Sequence, residues 1–223
     1  METPSIVSVR IVRIAKTLPA NITLLLPGMP EPEGVEPPHI VLRVEFPDME
    51  PYHACLGRFL DEWGKLEIQL RLLFKSLLGT DHSRAMALSA GLSGKALTDA
   101  LVSLADVALA QADLDTFIVL TERLKSLTQR RNYLIHGYWM AEIIAFNQRN
   151  GDVTFKLKVV REYPPTSSRA REALANPKNQ RERAKYVFQR KRIDQIAANV
   201  AALRDDLAAF MKTARMAPAQ REL

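Results

Sequence analysis

The 223-residue chain is 47% hydrophobic and 25% charged, an ordinary globular balance that excludes wholesale disorder. Its length allows one large domain, or one domain with an extension, with enough chain to bury a real core. No apolar run approaches the roughly 20 residues needed to span a bilayer, which rules out a transmembrane chain. The single cysteine, Cys55, excludes an internal disulfide framework and a Cys-rich zinc site. Met1 to Ile11 lack a basic start followed by an apolar stretch, so no secretory signal is expected and cytoplasmic residence is.

The net charge of +6 is unevenly spread. Glu122 to Asp194 hold 17 Lys/Arg against 7 Asp/Glu, leaving 14 against 18 elsewhere. A basic region on a near-neutral scaffold fits either a solvated face or a polyanionic partner, of which nucleic acid is the commonest.

Proline divides the chain. Nine of the 13 prolines fall in the first 51 residues, and none lies between Tyr52 and Tyr163. The first 50 residues read as a small β-rich extension, with strands expected in Ile6–Ile14, Asn21–Leu26 and His39–Phe46. A loop with five prolines, Pro27 to Pro38, interrupts them. No catalytic motif occurs here, and packing against the main domain is the expected role.

Because proline breaks helices, the proline-free block is where long helices can run. Helix one is predicted from about Pro51 to Leu78, with an apolar stripe of Leu56, Phe59, Leu60, Trp63, Leu70, Leu73, Phe74 and Leu77. Glu67 falls inside that stripe. It is either a helix-edge carboxylate reaching solvent or a site acid that holds an arginine. A second helical region spans Asp81 to Ala110, broken near Gly91–Gly94. Ser93 is a plausible N-cap for its later part, with Leu97, Leu101, Leu104 and Val107 on one face. Another helix runs from near Asp113 to His136 on Phe117, Leu120, Leu124, Leu127 and Ile135, and Gly137 stands where a C-cap glycine belongs.

The period then changes. Trp139–Phe146 and Val153–Val160 read as a β-hairpin (about 139–161) around Asn150-Gly151. Pro164 to Lys185 is a polar, basic loop in which Arg169, Arg171, Arg181 and Arg183 are candidate phosphate contacts. Tyr186–Phe188 reads as a short strand. A last helix turns Ile193, Ile196, Val200, Leu203, Leu207, Phe210 and Met211 inward. The fold class is therefore mainly α: an antiparallel helical bundle (51–215) with a β-hairpin insertion and a small β-rich N-terminal extension (1–50).

Several common sites are missing. There is no Gly-rich phosphate loop, no dinucleotide-binding glycine pattern and no His-Glu-x-x-His helix. His39, His53, His82 and His136 show no zinc-ligand spacing, so neither metal nor cofactor is expected. Cys55 reads as inert. One cluster stands apart: Arg130-Arg131-Asn132-Tyr133-Leu134-Ile135-His136-Gly137-Tyr138. Arg131 lies on the apolar stripe, four residues from both Leu127 and Ile135, where a guanidinium needs an anion such as Glu67 or a phosphate. His136 ends the helix beside solvent, and histidine is the side chain that exchanges a proton near neutral pH. Five helical residues rotate by about 140° and rise roughly 7.5 Å, so Arg131 and His136 do not stack on one face. They converge on a ligand through long side chains, an unwound helix end, or two chains sharing a site. Asn132, four residues before His136, can orient the imidazole.

Arg131, Asn132 and His136 form Arg-Asn-x-x-x-His at the end of a long third helix, before a glycine. This resembles the motif of the HEPN superfamily, small helical domains found in many RNA-cleaving toxins and antiviral effectors. The Trp63-x-x-x-Glu67 helix looks like the helix that faces the motif helix in several members, and the resemblance covers mainly Pro51 to Met211. It implies a metal-independent endoribonuclease, in which the 2′-hydroxyl attacks the adjacent phosphate to leave a cyclic phosphate and a free 5′-hydroxyl. His136 would act as general acid or base, Arg131 would stabilise the phosphorane, Asn132 would orient His136, Glu67 would hold Arg131, and Arg130 would contact substrate. The resemblance also implies a homodimer lining one cleft, with RNA as substrate and an antitoxin or other regulatory protein as partner. Some members have lost activity, so a noncatalytic module binding RNA, nucleotide or protein is the alternative. Arg-x-x-x-x-His-x-Tyr further resembles a subset silenced by nucleotidyl transfer to the tyrosine. Tyr138 is therefore either a modification site or simply the aromatic that opens the hairpin.

Overall fold

The computed structural model describes residues 8–11, 22–25, 40–43, 48–92, 94–149, 152–163, 168, 171 and 184–215. Five helices dominate them: α1 (Glu50–Leu78), α2 (His82–Ala90), α3 (Gly94–Ala108), α4 (Gln111–Ile135) and α5 (Arg190–Thr213). Six strands complete the set: β1 (Ser8–Ile11), β2 (Ile22–Leu25), β3 (Ile40–Arg43), β4 (Tyr138–Arg149), β5 (Asp152–Glu162) and β6 (Val187–Phe188). The protein is mainly α, as its periodicity predicts. Among the described residues no helix is long and apolar enough to cross a membrane.

Two compact units share the chain. A helical unit comprises His53–Ile135 and Arg190–Leu223, and a strand unit comprises Met1–Tyr52 and His136–Gln189. The division differs from the expected boundary at residue 50, because the hairpin groups with the N-terminal strands. The reason is pairing: β1 runs parallel to β4, with Ser8 opposite Met140 and Ile11 opposite Ile143.

In the helical unit, α1 holds Cys55, Phe59, Trp63, Leu66, Leu70, Leu73, Phe74 and Leu77 buried at intervals of three and four residues. Leu60 was expected on this stripe but is 44% exposed. It stands one position, about 100°, past Phe59. On α3 the buried positions are Leu97, Thr98, Leu101, Ala105 and Ala108, while Val107 is 69% exposed. Small alanines let a neighbouring helix approach, and a reading of large side chains overlooks them. Asp81 caps α2 by accepting from the Arg84 backbone N–H at 2.9 Å. The proposed Ser93 cap lies outside the described residues.

Side-chain pairs set the helix directions. Arg58 with Asp194 and Glu62 with Arg204 make α1 and α5 run the same way (2.7 and 2.6 Å). Phe117 stacked on Phe210 (5.7 Å) and Arg123 paired with Asp206 (2.6 Å) make α4 antiparallel to α5. Every inward position expected on α5 is buried except Met211, which is half-buried. Gly79, at φ 64°, ends α1 in the left-handed conformation that glycine adopts without strain.

Gly57 and Gly64 are different, because they sit inside α1 and a Cβ at either would meet nothing within 4 Å. Glycine there costs about 0.5–1 kcal/mol relative to alanine. Gly57→Ala and Gly64→Ala should each raise Tm by a few degrees in thermal unfolding. A lower Tm would show that this face needs close backbone approach.

In the strand unit, β4 and β5 pair antiparallel from Tyr138–Glu162 to Arg149–Asp152, with a register shift between Ile143 and Ala145. The tip, Asn150-Gly151, lies outside the described residues. β6 pairs with β5, and β2 pairs with β3 in a separate two-stranded parallel sheet. The three N-terminal strands fall within the expected segments but are shorter. Trp139 anchors the base of the hairpin: Tyr52 meets its ring edge-on at 5.7 Å, and the Arg161 guanidinium lies over it at 5.2 Å.

Candidate functional site

Arg131 is positioned by α4, and α4 by its buried row Phe117, Leu120, Leu124 and Leu127. Continuing that row by four residues brings Arg131 inward, where its Nε is buried. The guanidinium lies 5.9 Å from the centre of the Trp63 ring. The Trp63 indole N–H in turn donates to Glu67 Oε1 at 2.7 Å. The expected Arg131–Glu67 ion pair is therefore replaced by a relay: the Glu67 carboxylate fixes the indole, and the indole face carries the guanidinium. Arg131 Nη1 donates to Asn132 Oδ1 at 3.2 Å, while its Nε has no hydrogen-bond partner. No carboxylate among the described residues neutralises it. A buried polar atom left unbonded is uncommon in folded proteins.

Glu67 and Trp63 border a cleft of about 30 Å³, with Arg71, Thr98, Leu124 and Thr128 on its other sides. That is room for about one water, far too little for a nucleotide, so Glu67 does not face substrate-sized space there. Arg71 is committed elsewhere, donating to the carbonyl and hydroxyl of Ser89 at 2.6 and 2.9 Å.

His136 follows α4 directly and is exposed. The division between the two units falls between Ile135 and His136, so the arginine and histidine of the motif belong to different units. Asn132 is exposed, and the structure turns its carbonyl oxygen to Arg131. Tyr138 opens β4 half-buried, its hydroxyl 3.5 Å from Glu162, which stands opposite it in the hairpin register. Of the basic loop, Arg171 is exposed, whereas Arg169, Arg181 and Arg183 lie outside the described residues.

Arg130 of α4 and Arg192 of α5 are both half-buried, and burial pulls the Arg192 guanidinium below the ordinary arginine range. Sequence reasoning counted Arg192 only in the regional charge. The Arg190-Lys191-Arg192 run at a helix start was the available signal. Trp63 was read as core, and its second role, as a platform for a cation, shows only when α1 and α4 are seen together. Cys55 is fully buried. Burial, with Asp194 adding to it, pushes its thiol up, which keeps it protonated and unreactive. Among the described residues no three His, Cys, Asp or Glu side chains converge as metal ligands would. No family model, no curated protein and no solved structure matches the chain.

Proposed function

We propose that this protein is an endoribonuclease of the HEPN type, cutting RNA by attack of a 2′-hydroxyl on the adjacent phosphate. The observation that carries the reading is Arg131. Its guanidinium rests on an aromatic ring and an amide oxygen rather than on a carboxylate. It therefore keeps its whole positive charge for an anion. A phosphorane is the anion that His136, five residues on in the same sequence motif, makes chemically sensible.

In that reaction the O2′–P bond forms and the P–O5′ bond breaks. The 2′-hydroxyl loses a proton and the departing O5′ gains one, and an exposed imidazole suits either transfer. Arg131 stabilises the charge that builds on the phosphorus oxygens. Asn132 steadies Arg131, and Glu67 acts at a distance by fixing Trp63. No step calls on a cofactor. A second copy of the chain would supply a second motif to the same RNA, as the resemblance implies. A role in a toxin–antitoxin pair or in antiviral defence, in the cytoplasm and under control of a partner protein or of Tyr138 modification, follows from the same resemblance.

The test is incubation of the purified protein with mixed RNA in EDTA. Fragmentation is expected. RNA retained on the protein but left intact would select the noncatalytic binding reading, and neither retention nor fragments would refute both.

A further inference from the structure

The geometry points to Tyr138 as a second catalytic residue, which takes the proton of the attacking 2′-hydroxyl and hands its own to the buried carboxylate of Glu162. His136 is then left to serve the departing oxygen. The inference rests on the reading of the protein as a nuclease that works by 2′-hydroxyl attack, and it divides the two proton transfers which that reading leaves to one imidazole.

One imidazole is badly placed for both transfers. The attacking and leaving oxygens of such a displacement lie roughly in line, on opposite sides of the phosphorus. A group within hydrogen-bond reach of O2′ therefore approaches from the side away from O5′. Transfer at both ends calls for a second group, and that group has to stand near His136, because the two serve one phosphate.

Tyr138 is two residues from His136 and belongs to the same unit. Two trans peptide steps separate their Cα atoms by at most about 7.6 Å. The hairpin register sets Tyr138 directly opposite Glu162 of β5, and the Tyr138 hydroxyl donates to Glu162 Oε1 at 3.5 Å. Residues opposite each other in an antiparallel pair share one face of the sheet. Their burial differs: Glu162 is 1% exposed, Tyr138 is half-buried and His136 is exposed. An RNA strand can touch the phenol and cannot touch the carboxylate. A buried carboxylate is costly unless polar groups meet it, and one group that meets this carboxylate also reaches toward solvent.

A phenolic oxygen donates one hydrogen bond and accepts another. With its proton directed at Glu162, the Tyr138 oxygen keeps a lone pair for the proton of the 2′-hydroxyl. In the step, O2′ gives its proton to Tyr138 Oη and Tyr138 gives its own to Glu162. The O2′–P bond forms, the P–O5′ bond breaks, and protonated His136 supplies the proton that O5′ takes up. Glu162, through Tyr138, and His136 then return to their starting states by proton exchange with water, so no further reactant is needed.

The probe is a short RNA spanning one linkage that the wild-type protein cuts, made once with oxygen and once with sulfur bridging phosphorus to the 5′ carbon. A thiolate leaves without being protonated, so sulfur removes the need for an acid and keeps the need for a base. On the oxygen linkage Tyr138→Phe, Glu162→Gln and His136→Ala should each lower kcat by about 100-fold or more, with KM little changed. On the sulfur linkage His136→Ala should recover toward the wild-type rate, whereas Tyr138→Phe should stay slow. Thermal unfolding is measured on each variant. Tyr138→Phe keeps the ring in place, so its result decides the matter even if Glu162→Gln fails to fold. Rescue of Tyr138→Phe by sulfur would overturn the assignment. A wild-type kcat in Tyr138→Phe, with His136→Ala inactive, would remove the role of Tyr138 and keep the nuclease. A wild-type protein that cuts no RNA would remove both.

Discussion

His136→Ala should lower RNA cleavage by about 100-fold or more, the usual scale for loss of a general acid or base, with the fold and the affinity for uncleavable RNA retained. The imidazole is exposed and lies just past the last helical residue of α4. Removing it therefore takes nothing from the core and leaves α4 unchanged. Denaturant unfolding should show the wild-type midpoint and slope. The pairing of the two results carries the argument, because an unfolded variant would lose activity for a trivial reason. Cleavage at the wild-type rate would make this histidine a helix terminus and nothing more.

Trp63 is the second position of large effect. Its side chain is buried, packs against Phe59 at 6.2 Å, carries the Arg131 guanidinium and donates to Glu67. Trp63→Ala should cost about 3–5 kcal/mol of stability by leaving a cavity, and should free Arg131 from its platform. Trp63→Phe separates the two roles. It keeps an aromatic face under the guanidinium and loses the indole N–H bond to the Glu67 carboxylate, at a cost of about 1.5–3 kcal/mol. It should retain most cleavage, whereas Arg131→Ala should retain almost none. Arg131→Lys should recover little, because an ammonium lacks the planar fork. If Trp63→Phe were as inactive as Arg131→Ala while remaining folded, the ring face would not be what positions the arginine.

The helices were legible because their signals are local. Proline and glycine mark their ends, and large apolar residues recur at the helical period on α1, α4 and α5. The errors also have local causes. Leu60 is large and apolar but one position off the stripe, and on α3 the packing face is made of Ala105 and Ala108 rather than Val107. The hairpin was legible as a hairpin. Its grouping with the N-terminal strands was not, because a parallel pair such as β1–β4 joins residues more than a hundred positions apart, and no turn signal records it. The site divides the same way. Arg131, Asn132 and His136 are adjacent in sequence and could be picked out. The partners that decide what Arg131 can do, Trp63 in place of Glu67, come from another helix.

The most direct measurement is the chemistry of the RNA ends left by the wild-type protein and by His136→Ala, read by mass spectrometry after digestion in EDTA. Attack by the 2′-hydroxyl predicts 2′,3′-cyclic phosphate and 5′-hydroxyl ends from the wild type and none from the variant. Ends bearing a 5′-phosphate and a 3′-hydroxyl, or the same cyclic ends from His136→Ala, would contradict it.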